Sequence, residues 1–175
     1  MHKLIFYFID EFKENHLNKL NKNISIIFRN YNKTYNENEV LEIKKYCSLN
    51  NRYLYIANNL YLANKLNLDG IYIPSFNKNL TILKKRNKRL KIIGSAHNFK
   101  EIMIKKKQNV DLLFISPLFK TKKKDHYLNI YKFNILSKFS NQKVIALGGI
   151  NERNIKKIKL INCSGYAAIT FFDEL

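Results

Sequence analysis

Eight short apolar runs, set along the whole chain and separated by longer amphipathic stretches, constrain this sequence more than any other feature. They lie at residues 5–9 (IFYFI), 25–28, 53–57, 70–74, 91–96, 111–117, 143–149 and 165–172. Most are apolar throughout rather than alternating. That is the pattern of strands buried on both faces, as in a parallel sheet. Helical spacing fills the gaps. Residues 36–49 carry Val40, Leu41, Ile43 and Tyr46 near one face, and residues 99–108 carry Phe99, Ile102 and Met103. Residues 130–139 and 151–161 read similarly, with shorter candidates at 60–66 and 80–90. Strand and helix alternating in this way predict a parallel α/β fold. Eight strands with short crossovers favour a closed (β/α)₈ TIM barrel, a single domain over residues 1–175, rather than an open doubly wound sheet.

At 175 residues the chain is short for such a barrel, which typically needs about 200 or more. Loops must be short or helices missing. Only Asp173, Glu174 and Leu175 follow the eighth run, so the last helix is expected to be truncated or absent. The seam between the last and first strands would then be thinly covered, and an apolar patch there would favour a homo-oligomer.

The formal charge of +19 is the footprint of a nucleic-acid binder. The lysines, however, are dispersed: Lys84, Lys85 and Lys88; Lys105 to Lys107; Lys122 to Lys124; Lys156, Lys157 and Lys159. Three of these clusters fall in helical segments and read as solvated outer faces. The chain is also rich in Lys, Asn, Ile, Tyr and Phe, all encoded by A/T-rich codons, a compositional source for the charge. No nucleic-acid partner is expected. No stretch approaches the roughly 20 apolar residues of a membrane span, and the first apolar run reads as a buried strand. Cys47 and Cys163 match no metal spacing. Two free thiols in a reducing compartment, the cytoplasm, are the simpler reading.

In a barrel, chemistry sits at the C-terminal ends of the strands. Gly148 and Gly149 end the seventh run, and a helix is expected from about Asn151. Free N–H groups there would favour an anion. The eighth run ends at Thr170. After the sixth, SPLFKTKKK places Thr121 among Lys120, Lys122, Lys123 and Lys124, a directed hydroxyl beside point charges suited to phosphate. Ser95 and His97 end the fifth run; the histidine is either an acid–base group or a fixture of its loop. Arg29 ends the second and could clamp an anion or a ring. No His, Cys, Asp and Glu cluster has metal-ligand spacing, and no paired carboxylates stand at strand ends.

These late segments resemble the thiamine-phosphate synthase and TenI-like family. The pieces are IIGSAHNFKE, DLLFISPLFKTKKK, VIALGGINERN and GYAAIT, in the family's order and spacing. The resemblance implies a (β/α)₈ barrel that joins an aminopyrimidine diphosphate to a thiazole phosphate and releases pyrophosphate. It implies that Gly148, Gly149, Ile169 and Thr170 hold the thiazole phosphate. Ser95, Thr121 and Lys124 would meet pyrophosphate, and Arg29 would lie near pyrimidine and diphosphate; Ser95, Lys124 and Arg29 are the catalytic candidates. Departures are concentrated in strands two to four. The family's Q-x-R-x-K has Ile27 and Tyr31 at its first and last positions. The two aspartates expected to hold Mg²⁺ are Asn58 and Asn77, and the second Thr of T-x-T-K is Lys123. Lysine charge from Lys33, Lys120, Lys122 and Lys123 could replace the metal. Otherwise the chain is a TenI-like thiazole isomerase, with His97 in place of the family histidine where Pro117 stands, or a noncatalytic phosphometabolite-binding barrel.

Overall fold

All eight apolar runs become strands in a computed structural model that describes residues 3–31, 34–81, 87, 89–121 and 125–173. They are β1 (Leu4–Ile9), β2 (Ile24–Phe28), β3 (Leu54–Ala57), β4 (Gly70–Ile73), β5 (Lys91–Ala96), β6 (Leu112–Ile115), β7 (Lys143–Leu147) and β8 (Gly165–Ala168). Each pairs in parallel with the next, and β8 pairs with β1, Tyr7 opposite Ala168, to close the barrel. Around it run α1 (Glu14–Lys19), α2 (Glu37–Leu49), α3 (Leu60–Lys65), α4 (Phe99–Lys107), α5 (Asn129–Ser137), a 3₁₀ helix (Ile155–Leu160) and α6 (Thr170–Asp173).

The continuous apolar pattern has a direct cause. Alternate residues of each strand face either the lumen or the helices, and both sides are dry. The lumen is filled by Phe6, Phe8, Tyr55, Tyr72 and Phe114 with smaller residues between. Its rings meet mostly edge to face, Phe6 to Phe114 and Phe8 to Tyr72 each at 5.1 Å between centroids. The outer layer sets residues such as Ile26, Ile56 and Ile92 against Val40, Ile43 and Ile102 of the helices. With only five glycines in the chain, asparagine supplies left-handed turns: Asn51, Asn58, Asn67, Asn109 and Asn129 all have positive φ. Asparagine also caps. Asn36, Asn59 and Asn98 each accept a backbone N–H at the start of α2, α3 and α4.

Several expectations need correction. The helix read at 151–161 is a 3₁₀ helix over Ile155–Leu160. Asn151 and Asn154 exchange side-chain to backbone hydrogen bonds, which lock residues 151–154 in a turn and delay the helix. The eighth strand stops at Ala168, and Thr170 opens a one-turn helix. The described part of the last helix is one turn, and the seam is not bare. Phe172, 3% exposed, packs on the Tyr7 and Tyr166 rings, and the Tyr7 hydroxyl donates to Asp173 Oδ1 at 2.6 Å. The short α1 has one buried side chain, Leu17, and so no periodicity to read. Lys105 is not solvated; it is fully buried. The candidate helix at 80–90 falls largely outside the described residues. No helix among the described residues is long and apolar enough to cross a membrane.

Candidate active site

The late mouth, above β6 to β8, is built by two loops pressed together. Leu118 N–H donates to Leu147 O at 2.8 Å and Phe119 N–H to Gly148 O at 3.1 Å. Gly148 and Gly149 have φ of +94° and +70°. A Cβ on Gly148 would lie 2.8 Å from Pro117 Cα, and one on Gly149 only 2.4 Å from Lys120 O. The glycine pair is therefore required by the crossing of two backbones as well as by its turn conformation. What it leaves for a ligand is donors. Among the described residues, the N–H groups of Gly149, Ile169 and Thr170 donate to no protein acceptor. Ile169 and Thr170 are exposed. Free backbone N–H groups at the ends of adjoining strands suit an anion. Thr121 lies in the loop between β6 and α5; Lys120 beside it pairs with Asp125 at 2.9 Å on the surface. Lys33, Lys122, Lys123 and Lys124 lie outside the described residues.

His97 ties this half together. Its Nδ1 is 2.8 Å from Ser116 O and 3.1 Å from Ser116 Oγ, just before the cis Ser116–Pro117 bond. Its own N–H donates to Glu101, whose N–H is held by Asn98. These two bonds join the end of β5 to the N-cap of α4. The loop-fixing reading of His97 is the one the contacts support.

The middle of the mouth is a polar line at the top of an aromatic lumen. The Tyr72 hydroxyl donates to Ser95 Oγ at 2.9 Å, leaving the Ser95 hydrogen available for another acceptor. Both residues are buried, at 3% exposure. Burial pushes the Tyr72 hydroxyl upward, more than neighbouring Ser95 and Arg29 draw it down, so it remains a neutral donor. The Arg29 guanidinium lies 4.5 Å over the Phe8 ring and 5.8 Å from that of Tyr31. Tyr31 in turn meets Phe76 edge-on at 5.7 Å, and both are more than half exposed. Arg29 and Ser95 are thus brought to one site through Tyr72. Sequence reasoning passed over Tyr72 because an apolar strand hides a lumen tyrosine; its alternation with Ile71 and Ile73 was the available signal.

Above β3 and β4 the geometry is different. Asn77 Nδ2 donates to Asn58 Oδ1 at 2.5 Å, and Asn77 Oδ1 accepts from Asn79 N–H at 2.9 Å. Both amide oxygens are engaged, and both are neutral. Among the described residues no group of three His, Cys, Asp or Glu side chains could hold a metal ion. Mg²⁺ bound through protein needs carboxylate charge beside substrate phosphates. The residues present do not fit it.

Residues 14–172 match the family model described as thiamine monophosphate synthase. The chain belongs to the thiamine monophosphate synthase family. Among curated relatives, the thiamine-phosphate synthase of Methanococcus vannielii is 29% identical over 66% of this chain and 57% of its own length. That of Prochlorococcus marinus strain SARG is 31% identical over 75% of this chain and 39% of its own. The chain thus spans little more than half of the first relative and less of the second. A solved thiamine phosphate pyrophosphorylase from Pyrococcus furiosus superposes with a TM-score of 0.77 at 17% identity, over 96% of this chain and 85% of that one. The last likeness concerns the fold.

Proposed function

We propose that this thiamine monophosphate synthase family barrel acts in thiamine biosynthesis. It binds thiazole phosphate above β7 and β8, and couples it to an aminopyrimidine diphosphate with release of pyrophosphate. The observation that carries the reading is the set of free N–H groups on Gly149, Ile169 and Thr170 beside a loop bearing Thr121. A phosphate there would receive directed hydrogen bonds, and the lysine-rich segment 120–124 would offset its charge. Arg29 and Ser95 would take the diphosphate and ring of the second substrate, Ser95 through the hydroxyl hydrogen that Tyr72 leaves free. The coupling would form a bond from the thiazole to the pyrimidine carbon that bears the diphosphate; the carbon–oxygen bond to the diphosphate breaks and its electron pair leaves with pyrophosphate. This chain's residues bind, orient and neutralise; no step here is routed through a metal.

Titration calorimetry with thiazole phosphate tests the site, with saturable binding expected; no detectable binding at millimolar ligand sinks it. Rescue of a synthase-deficient thiamine auxotroph tests catalysis. A second reading, phosphometabolite binding without turnover, is favoured by the Asn58–Asn77 amide pair. It predicts binding in the calorimeter and no rescue by well-expressed protein.

A further inference from the structure

Among the described residues two cations, Arg52 and Lys105, are buried, and they do different work. Arg52, 5% exposed, sits before β3 at the N-terminal end of the barrel and donates to the carbonyls of Leu17, Leu20, Asn21 and Ile24. That end reads as stability. Lys105, 0% exposed, points the other way, from the last turn of α4 toward the mouth. Its ammonium donates to Pro74 O at 2.8 Å, Asn77 O at 2.8 Å and Gln108 Oε1 at 2.9 Å. Three donors meet three acceptors, so the head is fully satisfied. Gln108, 1% exposed, completes the grip: its Nε2 donates to Asn77 O at 3.0 Å and to Asn79 O at 2.9 Å.

The barrel is shaped for this side chain. A Cβ on Gly94 of β5 would fall 2.8 Å from Val110 Cγ1, 2.9 Å from Lys105 Cδ and 3.3 Å from Cγ, so a larger residue there would press on the stem. Among the described residues no carboxylate bonds to the head. An ammonium taken out of water without a paired anion is expensive, and simple packing would be served by an apolar residue of the same length. What the charge adds is a hold on one loop. Lys105 and Gln108 together fix Pro74, Asn77 and Asn79, the loop that follows β4. That loop presents the Asn77 amide to Asn58, where the family resemblance places a metal between two aspartates.

We infer that Lys105 is a positioning residue, an internal cation that with Gln108 orders the mouth loop after β4 in place of a metal ion. The loop is ordered from behind, through its carbonyls, rather than from in front, through carboxylates. Its consequence for ligands rests on the proposed diphosphate site; the loop ordering itself does not.

The test is amide hydrogen exchange on the full chain, comparing the wild type with Lys105→Met and Gln108→Leu. In the wild type, residues 75–81 should be protected, and 5 mM Mg²⁺ or EDTA should leave the rates unchanged. Loss of a buried hydrogen bond to a charged group predicts exchange faster by about tenfold or more in 75–81, with the strands unaffected. Should Lys105→Met fail to fold, Gln108→Leu removes two of the four hydrogen bonds to the loop and leaves the cation. Equal exchange in wild type and both variants overturns the inference, as does protection of the wild-type loop that appears only with Mg²⁺. Inorganic pyrophosphate and thiazole phosphate supply the second readout. Lys105→Met should weaken pyrophosphate binding by about tenfold and thiazole phosphate binding by less than about twofold, and equal weakening of both marks a merely structural role. If the wild type binds neither probe, the proposed function fails while the exchange data still decide the loop.

Discussion

The two halves of the barrel mouth are organised by opposite means. Above β6 to β8, backbone meets backbone: Gly148 and Gly149 lie against Pro117 and Lys120, and their turn leaves N–H groups free. Above β3 and β4, side chains satisfy one another: Asn58 bonds Asn77, and Lys105 and Gln108 hold the loop from beneath. The first half keeps unspent donors, which a ligand can use. The second has spent its polar groups internally. A site is made by what the fold leaves unsatisfied, and the free backbone donors named above lie in the late half.

The comparison can be broken most forcefully at Gly149. Gly149→Val adds a Cβ against the carbonyls of Phe119 and Lys120 at a φ of +70°. It should destabilise the protein by about 3 kcal/mol and abolish thiazole phosphate binding. Denaturant unfolding measures the first, and a change below about 0.5 kcal/mol would show that the crossing is not tight.

The second half is sharpened by restoring charge. Asn58→Asp with Asn77→Asp puts two carboxylates where amides now touch. Without metal the like charges should lower the thermal midpoint. With Mg²⁺ in excess the variant should gain about 2.7 kcal/mol at a hundred times its dissociation constant, while the wild type gains nothing. A wild type that Mg²⁺ stabilises equally would refute the claim that the amide pair does not fit the ion.

Tyr72→Phe probes the polar line between the halves. Removing the hydroxyl that serves buried Ser95 should cost about 1 kcal/mol of stability. Pyrophosphate affinity should also fall, since Ser95 is then free to turn toward Arg29 or the lumen. Unchanged stability and affinity together would remove Tyr72 from the site.

The smallest effect is a slope with pH. Burial pulls the Lys105 ammonium from its ordinary 10.5 down to about 8, with Glu101 opposing. Between those values the unfolded chain binds more protons, so this group makes stability rise with pH across the window from about 8 to 10.5. Cys47 acts in the opposite sense above its ordinary 9.0, because burial pushes its thiol up to about 12. Urea midpoints at pH 8 and 9 should therefore rise more for wild type than for Lys105→Met. Parallel lines would mean that the buried ammonium does not titrate there.

Much of this was legible beforehand. Continuous apolar runs marked every strand, and β5 fell on residues 91–96 as read. Helices with several buried residues, α2 and α4, fell within a residue of expectation. Short elements did not. With one buried leucine, α1 carries no period, and the turn locked by Asn151 and Asn154 depends on side-chain hydrogen bonds that hydropathy does not register. At the site, Arg29, Ser95 and the glycine pair were legible as strand-end residues. Tyr72 was hidden within an apolar strand, and Lys105 within a lysine cluster that looked like solvent-facing charge.

By itself the sequence determined the barrel, because strands buried on two faces leave a hydrophobic signature in every run, and it determined the family through late-loop motifs of fixed spacing. Only the tertiary structure decided which polar groups remain available. Whether an amide oxygen or an ammonium is free depends on partners far apart in the chain, Asn77 with Asn58 and Lys105 with Pro74. Closing the barrel brings those partners within hydrogen-bonding distance, and no local pattern encodes that meeting.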